Sequence, residues 1–387
     1  MKTKKRDIVV VGAGPAGSVT AKTAAEHGLD VLLIERHPEI GVPVKCAEGL
    51  NIKEIKALVK LDKQWICTEP TDANFYSPDG SCVTLSSTYN GYILNRSIFD
   101  KSLANEAELA GADIQVNTHV TGLIKARDQI KGVQTRNNGN DYRILADIVV
   151  GADGVGSQIG RMAGIDTRLP KEDICICTQY FMCGVEVDEH SVNFYFGNEV
   201  APGGYAWAFP KGNGCANIGL GIRGNFSKKG HRPLDYLKEF VKREFPKGDV
   251  ISKLYGAVPV SGPVYETVSD GLILVGDAAR QVDPATGGGI SYAIQAGAIA
   301  GEVISEAKEE GDYSKKNLMK YEKRWKRSFG KQLKNRLKLR DLISSLSDEE
   351  FNRIAHSLPS RIEADKKIGG LILLLKIFRQ NPWLISR

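Results

Sequence analysis

The sequence lacks the long apolar runs of a membrane-spanning protein. Its longest apolar stretch is LILLLKIF at 371–378, well short of the ~20 residues that cross a bilayer. The basic opening MKTKKRD leads directly into IVVVGAGPAG, which is too short and too rich in glycine for the apolar core of a signal peptide. We therefore expect a cytoplasmic globular protein, and its 387 residues are enough for two or three structural units.

Cysteines are few, and they are not spaced as metal ligands. None of the 7 belongs to a C-x-x-C pair, so zinc and iron–sulfur frameworks are not expected and no metal site is predicted. An odd number of cysteines without a secretion signal favours reduced thiols in a cytoplasm. The seven are Cys46, Cys67, Cys82, Cys175, Cys177, Cys183 and Cys215.

Acidic residues are almost absent from one segment of the chain. Between Lys315 and Arg340 twelve Lys or Arg residues accompany the single acid Glu322, although the net charge of the whole chain is only +6. This asymmetry indicates an anionic partner, either lipid headgroups at a membrane surface or an acidic electron carrier. No aromatic-interleaved basic motif accompanies it, so nucleic acid is not expected as a partner.

The same segment also has the pattern of an ordinary packed helix. Apolar residues recur every four positions, which predicts a stripe that packs on the protein core and leaves the basic residues in solvent. LILLLKIF and Trp383 are a further candidate for membrane contact or for a cap on a tunnel. The residues of the stripe are Tyr321, Trp325, Phe329, Leu333 and Leu337.

Predicted strands and helices divide the chain into three regions. DIVVVGAGPAGSVTAKTAAEHG followed by DVLLIER has the order of a βαβ unit, and LILVGDAA at 272–279 returns to a buried strand. Between about 170 and 260, short alternating strands predict an antiparallel sheet. We predict an α/β fold with three parts: a doubly wound cofactor-binding domain (1–44, 91–165 and 265–310), an inserted antiparallel-sheet substrate domain (45–90 and 166–264), and a C-terminal helical region (311–387).

A glycine-rich turn after the first strand has the pattern of a dinucleotide site. Gly12-x-Gly14-x-x-Gly17 follows the apolar strand and opens a helix, and Glu35 ends the next strand. In such a turn Gly12 permits the tight bend, Gly14 lets the backbone approach a pyrophosphate, and Gly17 lets the helix pack closely on the sheet. The helix N-terminus favours the phosphates, and Glu35 can accept hydrogen bonds from a ribose diol.

Two later segments favour FAD over NAD. GADG at 151–154 follows one buried strand, and GDAA at 276–279 with DPATGGGI follows another. Asp277 can hydrogen-bond a ribityl chain, and the dipole of the helix that begins near Gly288 can stabilise negative charge on a reduced flavin. The chain has no second GxGxxG and no C-x-x-x-x-C after Glu35. Electrons are therefore expected from a diffusing donor, either a ferredoxin-like protein or a reduced nicotinamide or deazaflavin.

These segments together resemble an FAD-binding family of the glutathione-reductase-type fold, which includes the aromatic hydroxylases and the geranylgeranyl reductases. The resemblance implies FAD as the cofactor, with Arg96 in LNRSIFD near the flavin and Val120 in backbone contact with the adenine. It further implies cofactor contacts in the two glycine-rich turns and in the PVKCAEG loop at 43–49. The additional residues are Ala16, Cys46, Ala47, Gly49, Gly288, Gly289 and Ile290.

The chain has only 4 Trp, yet GGYAWAFP at 203–210 places three aromatic rings on one strand face. Tyr205-x-Trp207-x-Phe209-Pro210, followed after eight residues by a Gly-x-Gly pair, resembles the YxWxFPx8GxG signature of the geranylgeranyl reductases. Such a wall suits a prenyl chain in a tunnel, whereas an ordinary sheet core is the alternative for its outer rings. The predicted tunnel residues are Phe194, Phe196, Tyr205, Trp207, Phe209, Gly219 and Gly221.

The resemblance implies an FAD-dependent reductase that saturates geranylgeranyl chains of archaeal ether phospholipids at the inner face of the cell membrane. We expect hydride from reduced flavin and a proton from Cys46, with Tyr205 and Trp207 stabilising cationic character through their π faces. A structural role for Cys46 beneath the flavin is an equal alternative. Two other functions stay open: a flavin-dependent monooxygenase or halogenase of the same fold, and a flavin electron-transfer module.

Overall fold

The computed structural model describes residues 3–52, 55–86, 91–228 and 231–363, together with 377, 379–381 and 384. Its helices are α1 (Pro15–Glu26), α2 (Arg96–Leu109), α3 (Gln158–Ala163), α4 (Pro233–Glu244), α5 (Ile290–Glu310), α6 (Lys315–Trp325), α7 (Lys331–Ser345) and α8 (Asp348–Ser357). Its strands are β1 (Thr3–Val11), β2 (Val31–Ile34), β3 (Gly49–Asn51), β4 (Ile66–Thr68), β5 (Asp72–Tyr76), β6 (Cys82–Ser86), β7 (Gly91–Leu94), β8 (Asp113–Gln115), β9 (Thr118–Ala126), β10 (Gln129–Asn137), β11 (Asn140–Gly151), β12 (Ile174–Cys183), β13 (Ser191–Tyr195), β14 (Tyr205–Gly212), β15 (Cys215–Arg223), β16 (Asp249–Pro259), β17 (Val268–Ser269), β18 (Leu272–Leu274) and β19 (Arg361–Glu363).

The first sheet is largely parallel and is covered by helices. Its strand order is β17-β18-β11-β1-β2-β8, and β10 and β9 extend it beside β11. β1 lies parallel to β2 and β11, and β18 lies parallel to β11. Ile8 and Val10 of β1 and Leu33 of β2 share one buried cluster with the alanine-rich faces of α1 and α5. Continuous apolar strands are typical of such a doubly covered parallel sheet, and the predicted α/β class is confirmed.

The second sheet is mainly antiparallel and has the order β16-β12-β15-β14-β13-β5-β6-β19. Helix α4 covers one face of this sheet, where its Leu237 and Phe240 share a buried cluster with Ala206 and Ala208 of β14. Its strands come mostly from 72–86 and 174–259, which is where the inserted sheet is expected. The domain boundaries themselves stay a prediction. The strands β3, β7 and β4 form a third, small sheet. In the chain, β3 and β4 come between β2 of the first sheet and β5 of the second, and β7 comes between β6 and β8.

Two predicted elements differ in the structure. DIQVNTHV, expected as one strand, is divided into β8 and β9 because Asn117 takes the left-handed conformation with φ 51°. The C-terminal region, expected to be helical, also contains β19, which runs parallel to β6. Most of LILLLKIF and Trp383 lie outside the described residues. Within the described part of the chain, no helix combines the length and apolar character needed to span a membrane.

The apolar stripe of the basic segment packs on the first domain. Tyr321, Trp325, Phe329 and Leu333 are all buried in the cluster formed with the main sheet and α5. A turn of π-helix, Lys326–Gly330, joins α6 to α7 and keeps the stripe on one side. The packing alternative is therefore confirmed for these four residues, whereas Leu337, the fifth of the predicted stripe, is only half-buried.

The expectation that all thiols are reduced is wrong for one pair. Cys183 and Cys215 form a disulfide. They are direct partners in the antiparallel pairing of β12 with β15, so the two side chains lie on the same face of the sheet. The sequence does not show this register, because the two residues are 32 positions apart. The other five cysteines are free.

Candidate active site

Close backbone contacts build the glycine-rich turn between β1 and α1. Gly12 has φ +107°, and a Cβ there would lie 2.3 Å from the carbonyl oxygen of Ala152. A Cβ on Gly17 would lie 1.9 Å from the carbonyl oxygen of Gly12, whereas a Cβ on Gly14 would meet no atom within 4 Å. Gly12 and Gly17 thus allow the turn and helix to pack, and the space beside Gly14 is open for a phosphate at the N-terminus of α1.

Glu35 holds the turn from the end of β2. Its Oε2 accepts a hydrogen bond of 3.0 Å from the backbone N–H of Ala13, and its Oε1 accepts one of 3.0 Å from that of His37. The backbone N–H of Thr118 donates to the carbonyl oxygen of Glu35 at 2.9 Å, which brings β9 and the buried Val120 alongside. This arrangement fits a ribose with its adenine against Val120.

Arg96, Asp277 and the start of α5 form a second group of polar residues. Arg96 donates two hydrogen bonds of 2.8 Å to the carboxylate of Asp100. Desolvation raises the pKa of the Asp277 carboxyl, although the charge of Arg96 acts in the opposite direction. A Cβ on Gly289 would lie 3.2 Å from Oδ1 of Asp277, so this carboxyl stands beside the N-terminus of α5. A hydrogen-bonding carboxyl next to a helix N-terminus fits a ribityl chain and an electron-rich ring.

Cys46 lies in the PVKCAEG loop, close to Arg96. Its Sγ accepts a hydrogen bond of 3.1 Å from the backbone N–H of Glu48. Desolvation raises the pKa of the Cys46 thiol, and the charge of Arg96 offsets this only partly. The thiol is therefore protonated at neutral pH, which a proton donor requires.

A buried ion-pair network, which the sequence did not reveal, fixes this loop. The Glu48 carboxylate accepts hydrogen bonds of 2.8 Å from the backbone N–H of Arg96, 2.6 Å from Nζ of Lys211 and 2.7 Å from Nδ2 of Asn217. The side chains of Glu48 and Lys211 are only 8% and 11% exposed. Asn217 also donates to the carbonyl oxygen of Ala47 at 3.2 Å. Two strands of the second sheet thereby hold the Cys46 loop in place.

One continuous aromatic wall is formed by Tyr205, Trp207 and Phe209 of GGYAWAFP with Phe194 and Phe196 of NFYF. Phe194 contacts Tyr205 and Phe209 edge-on, with ring centroids 5.5 and 5.4 Å apart, and Tyr205 contacts Trp207 at 5.9 Å. Phe75 of β5 stacks on Phe194 at 5.4 Å. Phe351 of α8 extends the wall by stacking on Phe196 at 5.7 Å. Phe75 and Phe351 were not predicted for the site.

Hydrogen bonds orient the two central rings of this wall. Nε1 of Trp207 donates to Oε1 of Gln179 at 2.9 Å, and Nε2 of Gln179 donates to the carbonyl oxygen of Cys46 at 3.3 Å. The Tyr205 hydroxyl donates to the carbonyl oxygen of Thr286, in the loop that leads to α5. The aromatic wall is thus tied both to the Cys46 loop and to the loop expected at the flavin.

Gly219 and Gly221 were expected to leave space for a ligand, but protein side chains occupy the space beside both glycines. A Cβ on Gly219 would lie 2.6 Å from Cζ2 of Trp207, so the indole ring lies directly over this glycine. A Cβ on Gly221 would lie 2.6 Å from Sγ of Cys175 and 3.1 Å from Sγ of Cys177. A hydrogen bond with Cys175, together with burial, raises the pKa of the Cys177 thiol.

Most of the predicted residues line one cavity of about 590 Å³. Its lining also contains the cations Lys45, Arg223, Arg336 and Arg340, which the sequence did not single out. The predicted residues that line the cavity are Gly14, Ala16, Cys46, Ala47, Gly49, Arg96, Phe194, Phe196, Tyr205, Trp207, Phe209, Gly221, Asp277, Gly288, Gly289 and Ile290. Those outside its lining are Gly12, Gly17, Glu35, Val120 and Gly219.

Two family models match the chain. A model of the geranylgeranyl reductase catalytic domain matches residues 173–258, which contain β12 to β16 and most of the aromatic wall. A model of an FAD binding domain matches residues 5–202.

Relatives match the chain over nearly its full length. A digeranylgeranylglycerophospholipid reductase from Methanosarcina acetivorans is 49% identical over 384 residues, which is 97% of this chain and 94% of that protein. One from Methanothrix thermoacetophila is 46% identical over 383 residues, covering 98% and 97%. The crystal structure of a geranylgeranyl bacteriochlorophyll reductase-like protein from Thermoplasma acidophilum matches with TM-score 0.94 at 36% identity, covering 100% and 98%. A flavin-dependent brominase, at 20% identity and TM-score 0.69 with coverage of 99% and 92%, shares the fold alone.

Proposed function

Because this chain belongs to the geranylgeranyl reductase family of FAD-dependent oxidoreductases, we propose that it saturates the geranylgeranyl chains of an archaeal ether glycerophospholipid. One observation carries this proposal. The aromatic wall and the residues that fit the flavin line the same cavity, and the Tyr205 hydroxyl joins the wall to the loop before α5. The relatives from Methanosarcina acetivorans and Methanothrix thermoacetophila are named digeranylgeranylglycerophospholipid reductases. The reaction belongs to membrane lipid biosynthesis.

The apolar character of the wall matches the energetics of a prenyl substrate. Each methylene removed from water contributes roughly 0.8 kcal/mol, but a chain drawn from a bilayer already lies in an apolar medium. Transfer therefore costs little only when the receiving cavity is equally apolar. Trp207 and Phe209 are each only 6% exposed, and Phe194 and Tyr205 pack against them, which meets this condition.

Different groups around the cavity perform the separate steps of alkene reduction. Reduced FAD supplies the hydride. An isolated alkene accepts hydride at one carbon as a proton is added to the other, because protonation leaves positive charge on the carbon that takes the hydride. The π faces of Tyr205 and Trp207 stabilise that charge. The Cys46 thiol, protonated because of its raised pKa, donates the proton, and Glu48 positions it through the backbone of the loop. Gln179 keeps the indole of Trp207 oriented toward this loop.

The electrons come from a diffusing donor, because the chain carries one dinucleotide fingerprint. We propose that a ferredoxin-like protein or a reduced nicotinamide or deazaflavin delivers them. The enzyme works at the inner face of the cell membrane, which it contacts through a group of exposed cations on α6, α7 and their junction. In the described part of the chain these cations have no carboxylate within 4 Å. This basic surface consists of Lys316, Lys323, Arg327, Lys331, Lys334 and Lys338.

An anaerobic assay tests the proposed reaction. The FAD-loaded protein is reduced with dithionite, mixed with a digeranylgeranylglycerol phospholipid in detergent, and the lipid mass is followed. We expect stepwise gain of hydrogen pairs together with reoxidation of the flavin. Unchanged lipid beside a fully reducible flavin would contradict the proposal, and oxygen-dependent turnover of an aromatic substrate would then favour a monooxygenase or halogenase.

A further inference from the structure

One face of β15 leads from the Cys46 loop to a cationic residue. Because strand side chains alternate, Asn217, Gly219, Gly221 and Arg223 lie on the same face. Asn217 contacts the carbonyl oxygen of Ala47, whereas Arg223 ends the strand and lines the cavity. Six residues of strand span about 20 Å. On this face Gly221 and Arg223 line the cavity, whereas Gly219 is covered by the indole of Trp207, so the guanidinium stands well along the strand from the Cys46 loop.

The guanidinium of Arg223 is incompletely satisfied. Its Nε donates to the carbonyl oxygen of Glu172 at 3.0 Å, and the stem of the side chain lies against Gly203. Among the described residues, its two Nη groups have no hydrogen-bond partner, and no carboxylate lies within 4 Å of it. The pKa of Arg223 is lowered, first by burial and next by repulsion from Arg340. The more distant carboxylates of Asp341 and Asp173 act in the opposite direction, but neither forms an ion pair with Arg223.

The other cations of the cavity lining are either paired with carboxylates or placed elsewhere, which leaves Arg223 as the available guanidinium at its end of β15. Arg340 lies on α7 and is paired with two carboxylates, since its guanidinium is 3.2 Å from a carboxylate oxygen of Asp173 and 2.6 Å from one of Asp341. Lys45 is exposed and lines the cavity, but it immediately precedes Cys46 and so belongs to the reactive end. A planar guanidinium fork with free N–H groups matches the oxygens of a phosphate.

We propose that Arg223, whose two Nη groups are free of partners among the described residues, binds the phosphate group at the polar end of the lipid substrate. The prenyl chain then extends along the β15 face past Gly221 and the aromatic wall toward the Cys46 loop. This inference rests on the proposed function and names the residue that recognises the phosphate of that substrate: Arg223 makes the enzyme favour the phosphorylated lipid over the neutral diether alcohol with the same chains. Prenyl chains contribute apolar contacts to both substrates, so the preference depends on the anion site.

Steady-state kinetics of Arg223→Gln on two substrates tests the site. Reduction of digeranylgeranylglycerol phosphate is compared with that of neutral digeranylgeranylglycerol at equal mole fraction in detergent. Loss of charge-assisted hydrogen bonds is expected to raise KM for the phosphate about ten- to hundredfold. The expected kcat for the phosphate and KM for the neutral lipid are unchanged. Arg223→Lys should restore part of the affinity, and Arg143→Gln, an exposed arginine of β11 outside the cavity, should behave as wild type.

The outcomes separate this site from the proposed function and from other anions. Equal losses on both lipids would show a structural role and overturn the proposal, as would an unchanged KM for the phosphate. If inorganic phosphate binds together with the phospholipid rather than in competition with it, the site serves a free ion and the proposal fails. If the wild type reduces neither lipid, the proposed function fails. Tryptophan-fluorescence binding of the two lipids to wild type and Arg223→Gln then decides the anion site alone.

Discussion

At the scale of single residues, the thiol of Cys46 is the group whose chemistry is most directly testable. Cys46→Ser replaces a thiol by a much weaker acid of similar size, so kcat for lipid reduction is expected to fall about 10²-fold. FAD content and the visible spectrum should be unchanged. Cys82→Ser, at a half-buried thiol of β6 outside the cavity, is the matched control. Full turnover by Cys46→Ser would leave the thiol with only a structural role.

The raised pKa of Cys46 also predicts the pH dependence of catalysis. A proton donor works while it is protonated, and desolvation moves the pKa of this thiol above its ordinary value. The rate should therefore show no loss from this group between about pH 6 and 8, and it should decline only as the pH rises through the raised pKa. Measurement of kcat against pH with wild type and Cys46→Ser checks this, because the alkaline limb should be absent from the variant.

Glu48 is the residue whose loss should most affect the stability of the site. Glu48→Gln leaves the ammonium of Lys211 buried without a countercharge, so the free energy of unfolding is expected to fall by about 3 kcal/mol. Urea unfolding of the FAD-loaded protein measures the loss. The double variant Glu48→Gln with Lys211→Met removes both charges and should recover part of it. Additive losses in the double variant would show that the two residues are not coupled.

At the scale of elements, the pairing of β14 with β15 sets the position of the indole. Trp207 is the direct partner of Gly219, whose missing side chain makes room for the ring. Gly219→Ala would place a Cβ 2.6 Å from the indole and 2.8 Å from the carbonyl oxygen of Thr178. We expect a shifted tryptophan emission, a stability loss of about 1–3 kcal/mol, and a loss of lipid reduction beyond that of unfolding.

Gly156→Ala is the control for this substitution. A Cβ at Gly156 meets no atom within 4 Å, and its φ is not in the left-handed region. Stability, emission and activity should therefore stay at wild-type values. If Gly219→Ala behaves in the same way, Trp207 can move without consequence, and its fixed orientation is not needed for the reaction.

The elements also show which parts of the site the sequence could predict. Local patterns were sufficient for the glycine-rich turn and for the face shared by Tyr205, Trp207 and Phe209, because both depend on spacing within one short segment. Phe75 reaches the wall only through the parallel pairing of β5 with β13, which no local pattern reveals. Lys211, 163 positions from Glu48, is a partner of the same kind. Long-range register was the missing information in both cases.

At the scale of the whole molecule, the apolar stripe and the basic surface of the C-terminal helices have separable roles. The stripe, apart from Leu337, is buried against α5 and the first sheet, whereas Lys323, Lys331 and Lys338 are exposed. Charge reversal of these three lysines to glutamate should abolish most of the binding to anionic vesicles, because each basic residue near such a surface contributes about 1 kcal/mol. Co-sedimentation with vesicles of phosphatidylglycerol at low salt measures the effect.

The control reverses three exposed lysines elsewhere on the molecule, Lys60, Lys125 and Lys238. This control variant has the same net charge as the first triple variant, but its basic surface is intact. Its vesicle binding should therefore stay close to that of wild type. Both variants should reduce lipid in detergent equally well, since none of the six residues lines the cavity. Equal loss of vesicle binding in both variants would mean that net charge alone governs membrane contact.

The parallel pairing of β5 with β13 also bears on how the chain folds. Phe75 lies opposite Phe194, its register partner 119 positions later, so a long loop must close before the wall forms. Pairings of this kind slow folding. Until closure, YAWAFP remains an apolar, β-prone segment without a cover, open to association with other chains. The segment proposed to hold the lipid in the native enzyme is then the one most prone to aggregate during synthesis, and refolding yield should fall steeply as protein concentration rises.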